Sequence, residues 1–311
     1  MIFDLKKLQD GANIYGIADD SVAGEEVNLT QRDAGSIAMG FMVWLAQELD
    51  KPIFSMKICV GRDSRATSHS LVEGIMMGIQ MTGSRSWYAG IATGPAMHQS
   101  TVMDFYEFDG AVIVTGGPHA SNINGFKFYT ANGQLGEDDI ARILKMASKS
   151  SFIGEWYETE PVNLMDMYAT RLRAMISNGL AGTDRAANGS GKKLEGVHIV
   201  VDAANGSGGF FVEKVLEKMG ADCTGSMNLD PDGTFPSHLP DADNEEAIAA
   251  LSTAVTDNNA DLGILFDAAV EAATIVGSDG QILARSEAGS DGAAFAVDTI
   301  VKCALASDLN V

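Results

Sequence analysis

Cysteine is scarce. Cys59, Cys223 and Cys303 are the three in 311 residues, far apart, with no CxxC pair and no histidine at ligand spacing. Neither a zinc site nor a disulfide framework is indicated, and a reducing compartment, cytoplasm or plastid stroma, is the simpler expectation. Basic charge is also short: Lys plus Arg total 21 against 42 Asp plus Glu, a net charge of −21. A polyanion such as nucleic acid, or an anionic membrane surface, is repelled by such a chain. The acids are spread along the sequence, which reads as a solvated surface, with a cationic partner protein as the alternative. Long apolar runs are missing too. The N-terminus "MIFDLKKLQDGANIYG" has no h-region and no later run is long enough to span a bilayer, so a soluble protein without direct membrane insertion is expected.

What is present is enough for two cores: 46% of the residues are hydrophobic. Strand and helix signals alternate in the first half. A β-rich run in "FSMKICVGRDSR" (54–65) precedes a helical pattern over 69–83 with Leu71, Val72, Ile75, Met76 and Ile79 on one face. Residues 84–105 repeat this, with a turn at Gly94-Pro95, and a strand at 111–114 starts a third unit. Thr30 is placed to cap an earlier helix over about 30–49, whose Met39, Met42, Trp44 and Leu45 read as core. Residues 155–180 read as a linker and an amphipathic helix, and 181–196 as a polar, Gly-rich insert. The same grammar restarts at 197, and one more helix follows Arg285. The fold class is therefore α/β, in two domains of related plan.

Three loops follow apolar strands, where open α/β sheets bind ligands. In "GRDSR" (61–65), Arg62 and Arg65 flank Asp63 and suit either an anion or an Arg–Asp pair that organises the loop. "DAANGSGG" (202–209) precedes a helix, but lacks dinucleotide or Walker spacing and reads as a tight strand-to-helix turn. In "FDAAVEAA" (266–273), Asp267 and Glu271 suit a hard cation or, as two acids of a surface loop, solvent. A fourth stretch, "GAVIVTGGPHASNINGFKFYTANG" (110–133), has the frame of a catalytic loop. Its centre, Gly116, Gly117 and Pro118, has no side chain able to carry a phosphoryl group.

Taken in order, "KLQDGANIYG", "VGRDSR", "VTGGPHASNINGFKFYTANGQLG", "VDAANGSGGFFVEKVLEKMGAD", "LDPDGTFPSHLPDADNEEAI" and "ADLGILFDAAVEAA" resemble the α-D-phosphohexomutases, the phosphoglucomutase and phosphomannomutase family, from about residue 5 to about 285. The resemblance implies two tandem three-layer α/β/α domains with mixed, mostly parallel sheets. Domain I would occupy 1–160 with a degenerate phosphoserine loop at 115–127, then a linker helix and insert over 161–196. Domain II would occupy 197–285 with a degenerate metal loop at 267–272, and 286–311 would begin a third domain. Complete members have four domains and move a phosphoryl group between C1 and C6 of a hexose phosphate through a phosphoserine and Mg²⁺. A chain of this length is expected to lack the sugar-recognition and phosphate-clamping loops of the last two.

The departures matter more. The family loop reads T-A-S-H-x-P, with the phosphorylated Ser seven residues before the Asn of N-G-x-K, and counting back from Asn124 gives Gly117. Pro118 replaces the following His, while His119 and Ser121 are displaced and stand only as weak substitutes. At the family's D-x-D-x-D-R metal loop stand Asp267, Ala269, Glu271 and Ala272, remnants that fit Mg²⁺ poorly, so neither metal nor cofactor is expected. In D-I-R-G, Tyr15 takes the Arg position and Asn13 the Asp. Arg62, Asp63, Ser64, Arg65 and Lys127 match, as phosphate- or sugar-binding remnants. Losing a nucleophile costs on the order of 10⁴ to 10⁶ in rate. The leading expectation is a non-catalytic homologue with a structural or interaction role, a subunit bound to other proteins. Two alternatives take hexose phosphate: a divergent phosphotransferase using His119 or Ser121, and a sensor binding through Arg62, Arg65 and Lys127.

Overall fold

Thr30 starts the first long helix as a reciprocal cap: its hydroxyl accepts from the Asp33 N–H at 3.3 Å, and its own N–H donates to the Asp33 carboxylate at 3.0 Å. The computed structural model describes residues 4–150, 152–154, 157–158, 160–183 and 192–306. The chain forms two units, Met1–Leu164 and Met165–Val311.

In the first unit the elements are β1 (Gln9–Asp10), β2 (Asn13–Ile17), α1 (Gln31–Leu49), β3 (Lys57–Arg62), α2 (Ser68–Met81), β4 (Arg85–Ile91), α3 (Gly94–Val102), β5 (Gly110–Val114), β6 (Ile123–Thr130), β7 (Gly133–Gln134), α4 (Glu137–Ala147) and β8 (Glu160–Pro161). The sheet order is β1-β2-β6-β5-β3-β4-β8, with β7 on β6. β5, β3, β4 and β8 run parallel, while β6 and β2 turn antiparallel at the other side. β5 is buried at every position, as a strand covered on both faces must be. One face carries α1, α2 and α4 over Ile58, Val60, Val112, Val114, Phe126 and Phe128. Glycine lets α1 and α2 cross closely. A Cβ at Gly74 would lie 2.2 Å from the Gln31 carbonyl, and one at Gly78 2.3 Å from that of Gly35.

The apolar periodicity of α2 holds, since Leu71, Val72, Ile75, Met76 and Ile79 are all buried. Met42, Trp44 and Leu45 are core as well, whereas Met39 is only half-buried. Gly94 and Pro95 are not a turn ahead of α3. They are its first residues, with the Thr93 hydroxyl accepting from the Ala96 N–H at 3.1 Å. Proline suits that position because its missing N–H would have no helical partner there.

The second unit contains α5 (Leu164–Gly179), β9 (Ile199–Asp202), α6 (211–219), α7 (Glu245–Asp257), β10 (Leu262–Phe266), β11 (Ala273–Gly277), β12 (Ile282–Arg285) and α8 (Gly292–Leu305). Its sheet runs β12-β11-β10-β9, parallel between β9 and β10 and antiparallel beyond. α6 is π-helical over Phe211–Leu216 before an α-helical turn at Glu217–Met219.

Both flanking helices pack within this unit. Tyr168 of α5 donates to Asp291 at 2.5 Å, and Gly179 lies against Val301 of α8. Burial, reinforced by the Asp291 charge, pushes the Tyr168 phenol well above its ordinary pKa. The Gly-rich insert falls largely on 184–191, outside the described residues. Its end is anchored, because Leu194 is fully buried and its N–H donates to the Met219 carbonyl at 2.9 Å.

Candidate functional site

The loop at 115–122 links β5 to β6 at the carboxyl end of the parallel strands, and the β3–α2 loop supplies its support. Asp63 and Arg65 are both fully buried there, with Arg65 Nε donating to Asp63 Oδ2 at 3.1 Å. The Asp63 carboxylate also accepts from the Arg65 N–H at 3.1 Å, Ser68 Oγ at 2.8 Å, Thr115 Oγ1 at 2.8 Å and the Gly116 N–H at 3.3 Å. Arg65 Nη2 donates to the carbonyls of Gly117 at 2.7 Å and His119 at 2.8 Å, and Nη1 donates to that of Ala120. A buried ion pair is tolerable when its remaining donors and acceptors are satisfied, and the loop backbone does this. Burial pulls the Arg65 guanidinium below its ordinary pKa, an effect opposed by Asp63.

Arg62 is half-buried and directed at its own unit, through Tyr88 Oη at 2.9 Å and the Asp63 carbonyl at 2.9 Å. Ser64 Oγ is buried with no hydrogen-bond partner among the described residues. Lys127 is 7% exposed on β6, next to the loop in sequence and on the face opposite Phe126 and Phe128. His119 and Ser121 are half-buried in the loop itself. Asn124, at the loop's exit, donates to Thr67 Oγ1 at 2.8 Å and Ser68 Oγ at 2.9 Å. Loop and support thus form one hydrogen-bonded block.

At the centre Gly117 has φ +58°, a left-handed conformation that penalises L side chains. A Cβ there would lie 2.7 Å from the Tyr15 hydroxyl, inside van der Waals contact. The Tyr15 ring meets His119 edge-on, centroids 4.9 Å apart at 80°.

The loop after β10, 267–272, is organised differently. Asp267 Oδ1 accepts from the backbone N–H groups of Glu271 at 2.6 Å and Ala272 at 3.0 Å, so the acid caps its own turn. Neighbouring chain closes over it: Ala268 N–H donates to the Pro240 carbonyl at 3.2 Å, Ser207 N–H to that of Ala268 at 2.8 Å, and Gly292 N–H to that of Val270 at 3.0 Å. Asp267 and Glu271 are 6% and 3% exposed. This corrects the reading of two solvated acids in a surface loop. Among the described residues no group of three or more His, Cys, Asp or Glu is placed to hold a metal ion. With one carboxylate oxygen already capping the turn, the residues do not fit an octahedral Mg²⁺ site.

"DAANGSGG" is a tight turn built on two successive left-handed residues, Ala204 (φ 49°) and Asn205 (φ 53°). Asp202 anchors it by accepting from the Ala204 N–H at 2.9 Å, and also meets His238 Nε2 at 3.0 Å. His238 Nδ1 lies 2.8 Å from the Leu239 carbonyl. A carboxylate on one ring nitrogen and a carbonyl on the other both require N–H, which only the imidazolium provides. The bond to Asp202 accordingly raises the His238 pKa against the opposing effect of burial.

Comparison with known proteins agrees with this two-unit plan. The description "Phosphoglucomutase/phosphomannomutase, alpha/beta/alpha domain I" matches residues 15–153, and the corresponding domain II matches 183–280. The chain belongs to the phosphoglucomutase/phosphomannomutase family. It is 27% identical over 230 residues to a phosphoglucomutase of Neisseria gonorrhoeae, covering 73% of this chain and 46% of that protein. With a phosphomannomutase/phosphoglucomutase of Pseudomonas syringae pv. tomato it shares 25% over 271 residues, covering 87% and 52%. The chain thus spans about half the length of the curated relatives it matches. In fold it is similar to a phosphoglucomutase/phosphomannomutase family protein from Burkholderia thailandensis, with a TM-score of 0.70 at 22% identity over 88% of this chain and 55% of that one. Parafusin from Paramecium gives 0.63 at 13% identity, over 86% and 52%.

The structure brings Asp63, Arg65, Gly117 and His119 into one block and places Asp267 and Glu271 in the other unit's own turn. Three residues were not singled out from the sequence: Thr115, which bridges Asp63 and the Gly117 N–H, and, in the second unit, Asp202 with its partner His238. The "DAAN" and "SHLP" stretches carry that second pair, but nothing local says that they meet. No helix among the described residues is long and apolar enough to cross a membrane.

Proposed function

We propose that this chain is a non-catalytic phosphoglucomutase/phosphomannomutase-family protein with a structural or protein-interaction role, a subunit of a larger assembly. The observation that carries the reading is Gly117. In-line phosphoryl transfer through an enzyme intermediate needs a hydroxyl held within a fraction of an ångström of its place. Gly117 offers none, its backbone is left-handed, and the space beside it holds Tyr15. The guanidinium nearest the loop is directed at loop carbonyls, a use that holds the loop's shape in the absence of an anion. The unfitting metal loop supports the same reading from the second unit.

A partner surface has candidates in the first unit. Phe105 and Val102 are 80% and 43% exposed, and the adjoining Asp104 and Glu107 are also exposed. With a chain charge of −21, a partner presenting basic and apolar side chains fits that surface. Native purification from the source, with mass spectrometry of co-eluting proteins and a mutase assay on the same fraction, tests the proposal. A stoichiometric complex without hexose-phosphate interconversion is expected; turnover that follows this chain through purification would overturn it.

A further inference from the structure

We propose that Tyr15 is a built-in plug of the phosphoryl seat, closing the place beside Gly117 that a phosphate group would need. The inference rests on reading Gly117 as the former nucleophile position. Its basis is that one ring is seated at three points. Tyr15 pairs with Gly125 across β2 and β6. A Cβ at Gly125 would lie 2.8 Å from Tyr15 Cδ1, so the ring lies directly over that glycine. At the other end the hydroxyl reaches Gly117, 2.7 Å from its Cβ position, and His119 closes the ring's side at 4.9 Å.

Tyr15 and Gly117 are therefore a matched pair. The phenol fills the volume that the missing side chain vacates, and the left-handed Gly117 tolerates the phenol. Ile14, the strand neighbour, is fully buried in the core, so alternation along β2 puts Tyr15 on the opposite face. Lys127, two residues beyond Gly125 on β6, shares that face, and the Arg65 guanidinium lies at the loop itself, 2.7 Å from the Gly117 carbonyl.

The test is calorimetric titration of the full chain with glucose 1-phosphate and, separately, inorganic phosphate. Tyr15→Phe keeps the ring and is expected to bind no more tightly than the parent chain. Tyr15→Ala removes the plug, and Tyr15→Leu keeps apolar bulk over Gly125 while withdrawing the tip from Gly117, so at least one folded open variant is available. Both are expected to gain at least about tenfold in affinity, the effect of about 1.4 kcal/mol. Equal affinity in the parent and the folded open variants, at any strength, would overturn the plug. So would transfer of a phosphoryl group from a hexose bisphosphate to the Tyr15 oxygen, because the hydroxyl would then be an acceptor. Turnover by the parent chain, by contrast, overturns the proposed function and leaves the affinity comparison intact.

Discussion

The loop after β5 and the loop after β10 occupy equivalent places, each leaving a fully buried strand that is parallel to one neighbour and antiparallel to the other. They keep their shapes by different means. The first depends on a long-range pair, Asp63 and Arg65, whose side chains hold backbone groups more than fifty residues away. The second is held locally, by Asp267 on the N–H groups four and five residues ahead, and by small side chains that let surrounding backbone approach. In both places groups of the kind that bind anions and cations are hydrogen-bonded to the chain's own backbone.

That comparison is sharpest at Arg65. Arg65→Ala leaves Asp63 buried without its cation and strips three loop carbonyls of a donor, so a loss of about 3–5 kcal/mol is expected in urea unfolding. In the other loop, Asp267→Ala leaves two backbone N–H groups unsatisfied, and about 1–3 kcal/mol is expected by the same measurement. Gly117→Ser places an L side chain at positive φ against the Tyr15 hydroxyl. A cost of about 1–2 kcal/mol is expected, with no mutase activity in a coupled assay.

A fourth test uses pH. Because Asp202 raises the folded-state pKa of His238, the bond's contribution is fully present below the unfolded value of about 6.5 and is lost as pH rises through the folded value. Stability of the parent chain should therefore fall on going from mildly acidic to mildly alkaline pH, and His238→Gln should flatten that slope. The smallest expected effect is that of Mg²⁺. Millimolar addition should leave the melting temperature of the second unit's transition unchanged, since a ligand stabilises only what it binds.

Much of the scaffold was legible because it is written locally. Thr30 and Asp33 form a cap within one turn, and the α2 periodicity is a single helical face. The Asp63–Arg65 pairing was one of two readings of "GRDSR", and neighbours two apart on a tight loop leave few other geometries. The Tyr15–Gly117 contact was hidden for the opposite reason. It depends on β2 pairing with β6 in a register that sets Tyr15 over Gly125, and a short segment such as "NIYGI" gives no sign of its distant partner. The burial of Asp267 was equally invisible. Two acids among alanines read the same whether water or the Pro240, Ser207 and Gly292 backbone surrounds them.

The central claim is that the loop at 115–122 no longer carries a phosphoryl group. Its most direct test is intact-mass analysis with site mapping after incubation of the full chain with a hexose 1,6-bisphosphate and Mg²⁺. The account predicts an unchanged mass and no phosphorylated residue between Thr115 and Asn122. A stoichiometric gain of one phosphoryl group on His119 or Ser121 would contradict it.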